Sequence, residues 1–141
     1  MEILLQHTGG ARFVAEARQH RLILDQPAED GATDQGMSPA ELLLASLGGS
    51  VGQNVAQYLR LRGISAEGLS VQVAAQPASR PLRLRDFTVQ VAVPGLTDRQ
   101  LRALEKSLLA GLVQNAICLE NSVRVTAASA GPAEKSPRKA K

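Results

Sequence analysis

Residues 38–63 read SPAELLLASLGGSVGQNVAQYLRLRG, and the reading of this stretch decides the fold. Ser38 is a helix N-cap, Pro39 suits the first helical position, and Glu41 completes a capping box three residues after the cap. Leu43, Leu47, Val51, Val55 and Leu59 recur every four residues, and Leu44 and Tyr58 widen the stripe. Arg60 and Arg62 complement the C-terminal dipole, and Gly63 ends the helix. The spacing predicts a helix of about 24 residues, roughly 36 Å long at 1.5 Å per residue.

Inside this helix Gly48-Gly49-Ser50-Val51-Gly52 matches G-x-S-x-G, the pattern of a hydrolase nucleophile elbow. An elbow needs a strand, a sharp turn and then a helix, whereas Ser50 lies about three turns past the cap. His7 and His20, the two histidines of the chain, both precede the serine, and that fold places its histidine last. The string is therefore not an elbow. Each of the three glycines costs up to about 1 kcal/mol relative to Ala in a helix. Ala45, Gly49, Gly52 and Ala56 fall near one face, which suits the close approach of another backbone, such as a second helix at a dimer interface.

Strands are expected on both sides of the helix. Ile3–Gln6, Arg12–Ala17 and Arg21–Asp25 form an N-terminal antiparallel meander around the turn Thr8-Gly9-Gly10. Residues 26–36 form a loop. Leu69, Val71 and Val73 alternate with polar residues, Pro77 and Pro81 bracket a connection, and Leu82 to Val93 form a second strand. Its phase slips near Arg85-Asp86, as a bulge requires. Thr97 and Gln100 make a second capping box ahead of Leu101, Leu104 and Leu108. Leu112–Cys118 suggests further helical turns, and Val123 and Val125 a last short strand. The order is that of an α+β domain.

Composition narrows the function classes. The chain has 141 residues, 44% apolar and 21% charged, enough for one domain with its own core. Aromatics make up 2% and Trp is absent, so the core is aliphatic and the stacking platforms of nucleic-acid modules are missing. The net charge of +3 belongs to the C-terminal tail, where Lys135, Arg138, Lys139 and Lys141 face Glu134 and the preceding residues sum to zero. That tail is expected to be disordered, with a boundary between residues 1–128 and 129–141. One cysteine, Cys118, excludes an internal disulfide and fits a reducing compartment. No signal-peptide pattern or membrane-spanning run is present, so a cytoplasmic protein is expected. One cysteine and two distant histidines do not make a structural zinc site. Asp25, Glu29, Asp30 and Asp34 are loop acids without the spacing of a calcium loop, and are expected to be solvated. No cofactor motif is visible.

The run from Leu22 to Asn54, with D-Q-P and then G-M-S-P-A-E-L-L-L-A-S-L-G-G, resembles the OsmC/Ohr family of organic hydroperoxide reductases. Leu112-Val113-Gln114-Asn115-Ala116-Ile117 resembles it more loosely, and the likeness covers most of residues 1–126. The nearer relatives are of the OsmC-like branch. The resemblance implies an OsmC-like fold, antiparallel sheets around a long central helix, in an intertwined homodimer with two sites at the subunit interface. In active members a peroxidatic cysteine sits on the central helix and a resolving cysteine follows near the C-terminal helix. An arginine and a glutamate activate the first, and Ohr members are recycled by lipoylated proteins.

Carried onto this chain, the peroxidatic position falls on Ser50 and the resolving position on Gly111. Glu41 lies near the family's glutamate, and Arg12 is the candidate for its arginine. A serine hydroxyl does not ionise near neutral pH and does not form a sulfenic acid. Cys118, seven residues past Gly111, is about 10 Å further along a continuous helix, and its neighbours Ile117 and Leu119 suit a buried small hydrophobe. Three readings follow. The first is an OsmC-like homodimer without thiol peroxidase chemistry, binding a small apolar or amphipathic ligand with Ser50 and Glu41 as polar anchors. The second is a one-cysteine hydroperoxide reductase using Cys118, and the third a structural or interaction protein that acts through its basic tail.

Overall fold

A computed structural model describes residues 1–107 together with Val113 and Ala116, both helical. Gly111, Cys118, the strand expected at Val123–Val125 and the tail 129–141 lie outside the described residues. Three antiparallel strands come first: β1 (Leu4–Gly9), β2 (Arg12–Ala17) and β3 (His20–Leu24), in the order β1-β2-β3. Helix α1 (Pro39–Leu61) follows, then the antiparallel pair β4 (Ser70–Ser79) and β5 (Leu82–Ala92), then α2 (Asp98–Ser107). The domain is α+β, as the element order predicts.

Local chemistry explains the boundaries. The Ser38 hydroxyl accepts from the Glu41 backbone N–H at 3.3 Å, and the Glu41 carboxylate accepts from the Ser38 backbone N–H at 2.7 Å. This reciprocal pair satisfies two donors that a helix start leaves open. Thr97 and Gln100 repeat the arrangement at α2. In the second sheet Ala74 pairs with Thr88 and Gln76 with Arg85, so β5 carries one extra residue, and Asp86 takes a φ of 53°. That is the bulge expected from the phase slip. Two features differ from expectation. β4 continues through Pro77 to Ser79, with Pro77 paired to Leu84; a proline is compatible with an edge strand where its nitrogen points away from the ladder. Leu43 is 40% exposed, because the second sheet covers α1 only from Leu47 onward.

The core is one layer of helix on sheet. Leu47, Val51, Val55 and Leu59 of α1 are buried with Val93 and Leu104, and Val71, Val73, Phe87 and Val91 pack against them. α1 contacts β4 and β5, while the first sheet makes at most slight contact with α1 or with the second sheet. Its link to α1 is the short bridge of Leu24 with Met37. Leu5, Ala15 and Leu22 share one face of that first sheet with Phe13 and Leu24, as the register requires. Leu5, Phe13 and Leu22 on this face are 47%, 38% and 44% exposed.

The glycines of α1 divide between two faces. A Cβ at Gly48 would stand 2.9 Å from Val73 Cγ2, and one at Gly52 3.4 Å from Val71 Cγ2, whereas one at Gly49 would meet nothing within 4 Å. Gly48 and Gly52 therefore admit β4, so Gly52, which the sequence groups with Gly49 on a face for a second helix, packs instead on a strand of its own chain. Valine is stiff about χ1, so Gly48→Ala is expected to destabilise the protein by roughly 1 kcal/mol, overpacking outweighing the gain in helix propensity. Gly49→Ala is expected to stabilise by about 0.5–1 kcal/mol. Thermal melts test both, and Val73→Ala should make Gly48→Ala neutral or better. A loss of stability in Gly49→Ala would mean that a second chain or residues outside the described ones fill the space beside Gly49.

Candidate functional site

Ser46, Gly49, Ser50, Gln53 and Asn54 lie three and four residues apart, and so share one face of α1. They line an open cavity of about 490 Å³ together with Val113. This face lies away from the residues packed on the second sheet. Among the described lining residues two are hydroxyls and two are amides, and none is titratable. Such a surface offers donors and acceptors to a ligand, but no base for Ser50 and no cation to hold an anion.

The structure places the other candidate residues elsewhere. Arg12 donates through Nε to Thr8 Oγ1 at 3.2 Å, through one terminal nitrogen to the Thr8 carbonyl at 3.3 Å, and through the other to Gln35 Oε1. The Glu41 carboxylate is held by Ser38, whose hydroxyl also donates to it at 2.8 Å. The Ser38 backbone N–H and then its hydroxyl hold Glu41 below the usual carboxylate range. Neither Arg12 nor Glu41 lines the Ser50 cavity within one chain. Gly111 and Cys118 lie outside the described residues.

One group was misread in the sequence. Asp25 is not a solvated loop acid: it is 1% exposed. Its Oδ2 accepts from Thr33 Oγ1 at 2.5 Å and from the Gln35 backbone N–H at 3.2 Å, and its Oδ1 from the Gln26 backbone N–H at 2.9 Å. The Thr33 hydroxyl, the Gln26 and Gln35 backbone N–H groups and the Arg12 charge outweigh burial and hold its carboxyl below the usual range. Asp25 thus closes the loop 25–37 on itself, and Gln35 carries the order on to Arg12. The D-Q-P and T-D-Q strings were the available signal, but the bonds span eight and ten residues. Among the described residues no cluster of His, Cys, Asp and Glu is placed to hold a metal ion.

A serine in mid-helix, a capped N-terminus at Ser38 and small residues between them frame the comparison with known proteins. The family model described as OsmC-like protein matches residues 32–129. This chain belongs to the OsmC-like family. Solved OsmC-like structures share its fold. A protein of Psychrobacter arcticus, described as an osmotic stress induced and detoxification response protein, superposes with a TM-score of 0.74 at 20% identity, covering 81% of this chain and 85% of that one. An OsmC-like protein of Mycoplasma pneumoniae gives 0.71 at 15% identity, covering 82% and 85%. The organic hydroperoxide resistance protein OhrB of Bacillus subtilis gives 0.53 at 16% identity, covering 76% and 81%. No match to a curated protein was found. Among the described residues of this OsmC-like chain, no helix is long and apolar enough to cross a membrane.

Proposed function

We propose that this chain is an OsmC-like homodimer that lacks the thiol peroxidase chemistry of its family and binds a small apolar or amphipathic molecule in the Ser50 cavity. The observation that carries the reading is the lining of that cavity. A hydroxyl stands where the resemblance expects a thiol, and the described side chains around it are neutral hydrogen-bonding groups and one valine. Reduction of a hydroperoxide requires a thiolate that attacks the terminal peroxide oxygen and becomes a sulfenic acid. Ser50 offers no equivalent electron pair near neutral pH.

The first sheet supports the homodimer. Its apolar face is open within one chain, and a three-stranded sheet gains its stability from packing on that face. A second copy is the cover we assign to it, and sedimentation at micromolar concentration tests the assignment: an equilibrium monomer would refute it. A boundary at residues 128/129 is supported by the family match, which ends at residue 129. A cytoplasmic location is supported by the single cysteine.

The decisive experiment is turnover of cumene hydroperoxide with dithiothreitol, comparing the wild-type chain with Cys118→Ala. Neither protein is expected to exceed the uncatalysed rate. Turnover in the wild type that disappears in Cys118→Ala would instead establish the one-cysteine reductase.

A further inference from the structure

A second pocket lies at the far end of α1 from Ser50. Tyr58 is eight residues beyond Ser50, about 12 Å along the helix. With Arg62, Ile64, Thr97, Arg99, Gln100 and Ala103 it lines an open cavity of about 470 Å³ between the end of α1 and the first turns of α2. Two arginines from different elements therefore line one space.

The Arg62 guanidinium carbon sits 3.6 Å from the centroid of the Tyr58 ring, and Arg62 also donates to the Tyr58 carbonyl at 3.5 Å. The ring fixes the plane of the guanidinium, and the bond occupies one of its five N–H donors. Arg62 and Arg99 have no carboxylate within ion-pair distance among the described residues. The described lining of this pocket carries two arginines and no carboxylate, while Arg102 and Glu105 line an adjoining hollow with Arg99 and Ala103, so positive charge prevails. The backbone start of α2 is already capped by Thr97 and Gln100, and the site rests on the arginines. Ile64, Ala103 and the ring edge supply an apolar wall.

We propose that this pocket binds a small organic anion, a phosphate monoester with a short apolar group. The ester oxygens would meet the two planar donor forks, which match phosphate geometry, while the apolar group lies on Ile64 and Ala103. The site is independent of Ser50 and of any redox chemistry.

Tyr58 is the one tyrosine in a chain without tryptophan, so intrinsic tyrosine emission reports on this pocket directly. The full chain is titrated with n-butyl phosphate, inorganic phosphate and n-butanol, read by Tyr58 emission and by calorimetry. Butyl phosphate is expected to give a saturable change, inorganic phosphate a weaker one and butanol none. Arg99→Ala, at an exposed position, and Arg62→Ala are each expected to weaken binding at least about tenfold, as loss of a charged hydrogen bond does. No saturable heat or emission change up to about 10 mM would overturn the proposal, as would unchanged affinity in Arg99→Ala. Equal affinity for inorganic phosphate would overturn the role of the apolar wall. Binding to phosphatidic acid vesicles without binding of butyl phosphate would overturn the small-molecule ligand.

Discussion

Replacing Ser50 by cysteine, in a Cys118→Ala background, is expected to create a thiol that consumes cumene hydroperoxide at a rate rising about 30-fold between pH 7 and full ionisation. The factor follows from the cavity. None of its described lining residues is titratable, so none of them carries a charge that lowers a thiol from its ordinary pKa of about 8.5, at which about 3% is thiolate at pH 7. The thiolate attacks the peroxide, the O–O bond breaks, the alcohol leaves with a proton, and sulfur becomes a sulfenic acid. Dithiothreitol returns it to the thiol, yielding water and the oxidised dithiol. Steady-state dithiol consumption against pH is the measurement, with the parent protein at background throughout. A flat profile above pH 7 would reveal a cation beside position 50 and refute a neutral cavity; such a charge would have to come from outside the described lining, for instance from a second copy.

Asp25→Ala is expected to lower the melting temperature by roughly 5–10 °C at pH 7, since three donors lose a charged acceptor at once. Thr33, Gln26 and Gln35 are those donors, and the loop 25–37 loses its closure. The pH dependence has a definite sign. The folded pKa of Asp25 lies below its unfolded value, so the unfolded chain binds more protons in the acid range and stability rises with pH there. The Asp25 contribution is complete above the unfolded value, near 4, and disappears as pH falls through the folded one. Melting curves from pH 7 to pH 2 should therefore show an acid-side decline that is shallower in Asp25→Ala. Parallel curves for the two proteins would show that Asp25 is not the group responsible. Glu41 has the same sign, but its side chain is exposed at the start of α1, and its part in the decline is smaller.

The sequence and the structure agree where the determinants are local. A cap, a proline at the first position and apolar residues every four positions define α1 within a few residues of its ends. The slip between Leu84 and Phe87 locates the bulge at Asp86, because side-chain phase along a strand is a local property. Agreement ends where a residue's role is set by a distant partner. The glycines of α1 say that something approaches the helix, but not that the neighbour of Gly48 is Val73, some 25 residues later. Asp25 reads as a loop acid until Thr33 and Gln35 are folded over it. Pro77 looks like a break until it is seen paired with Leu84 across the hairpin. For the site, the face carrying Ser46, Ser50, Gln53 and Asn54 follows from helical periodicity, whereas the separation of Arg12 and Glu41 from it does not.

The strand order has a consequence for the backbone. With β1-β2-β3 in one sheet and β4-β5 in the other, β2 is the one strand flanked by a strand on both sides among the described residues, and the outer side of β3 is bridged at Leu24 to Met37. A strand edge without a neighbour presents a row of N–H and C=O groups, the arrangement that invites strand addition from another chain. Antiparallel pairing of an edge with its copy uses those groups without altering a side chain. An edge of this kind lets a fold assemble through its main chain as well as through an apolar sheet face, and crowding of partly folded chains would draw on the same rows of hydrogen bonds.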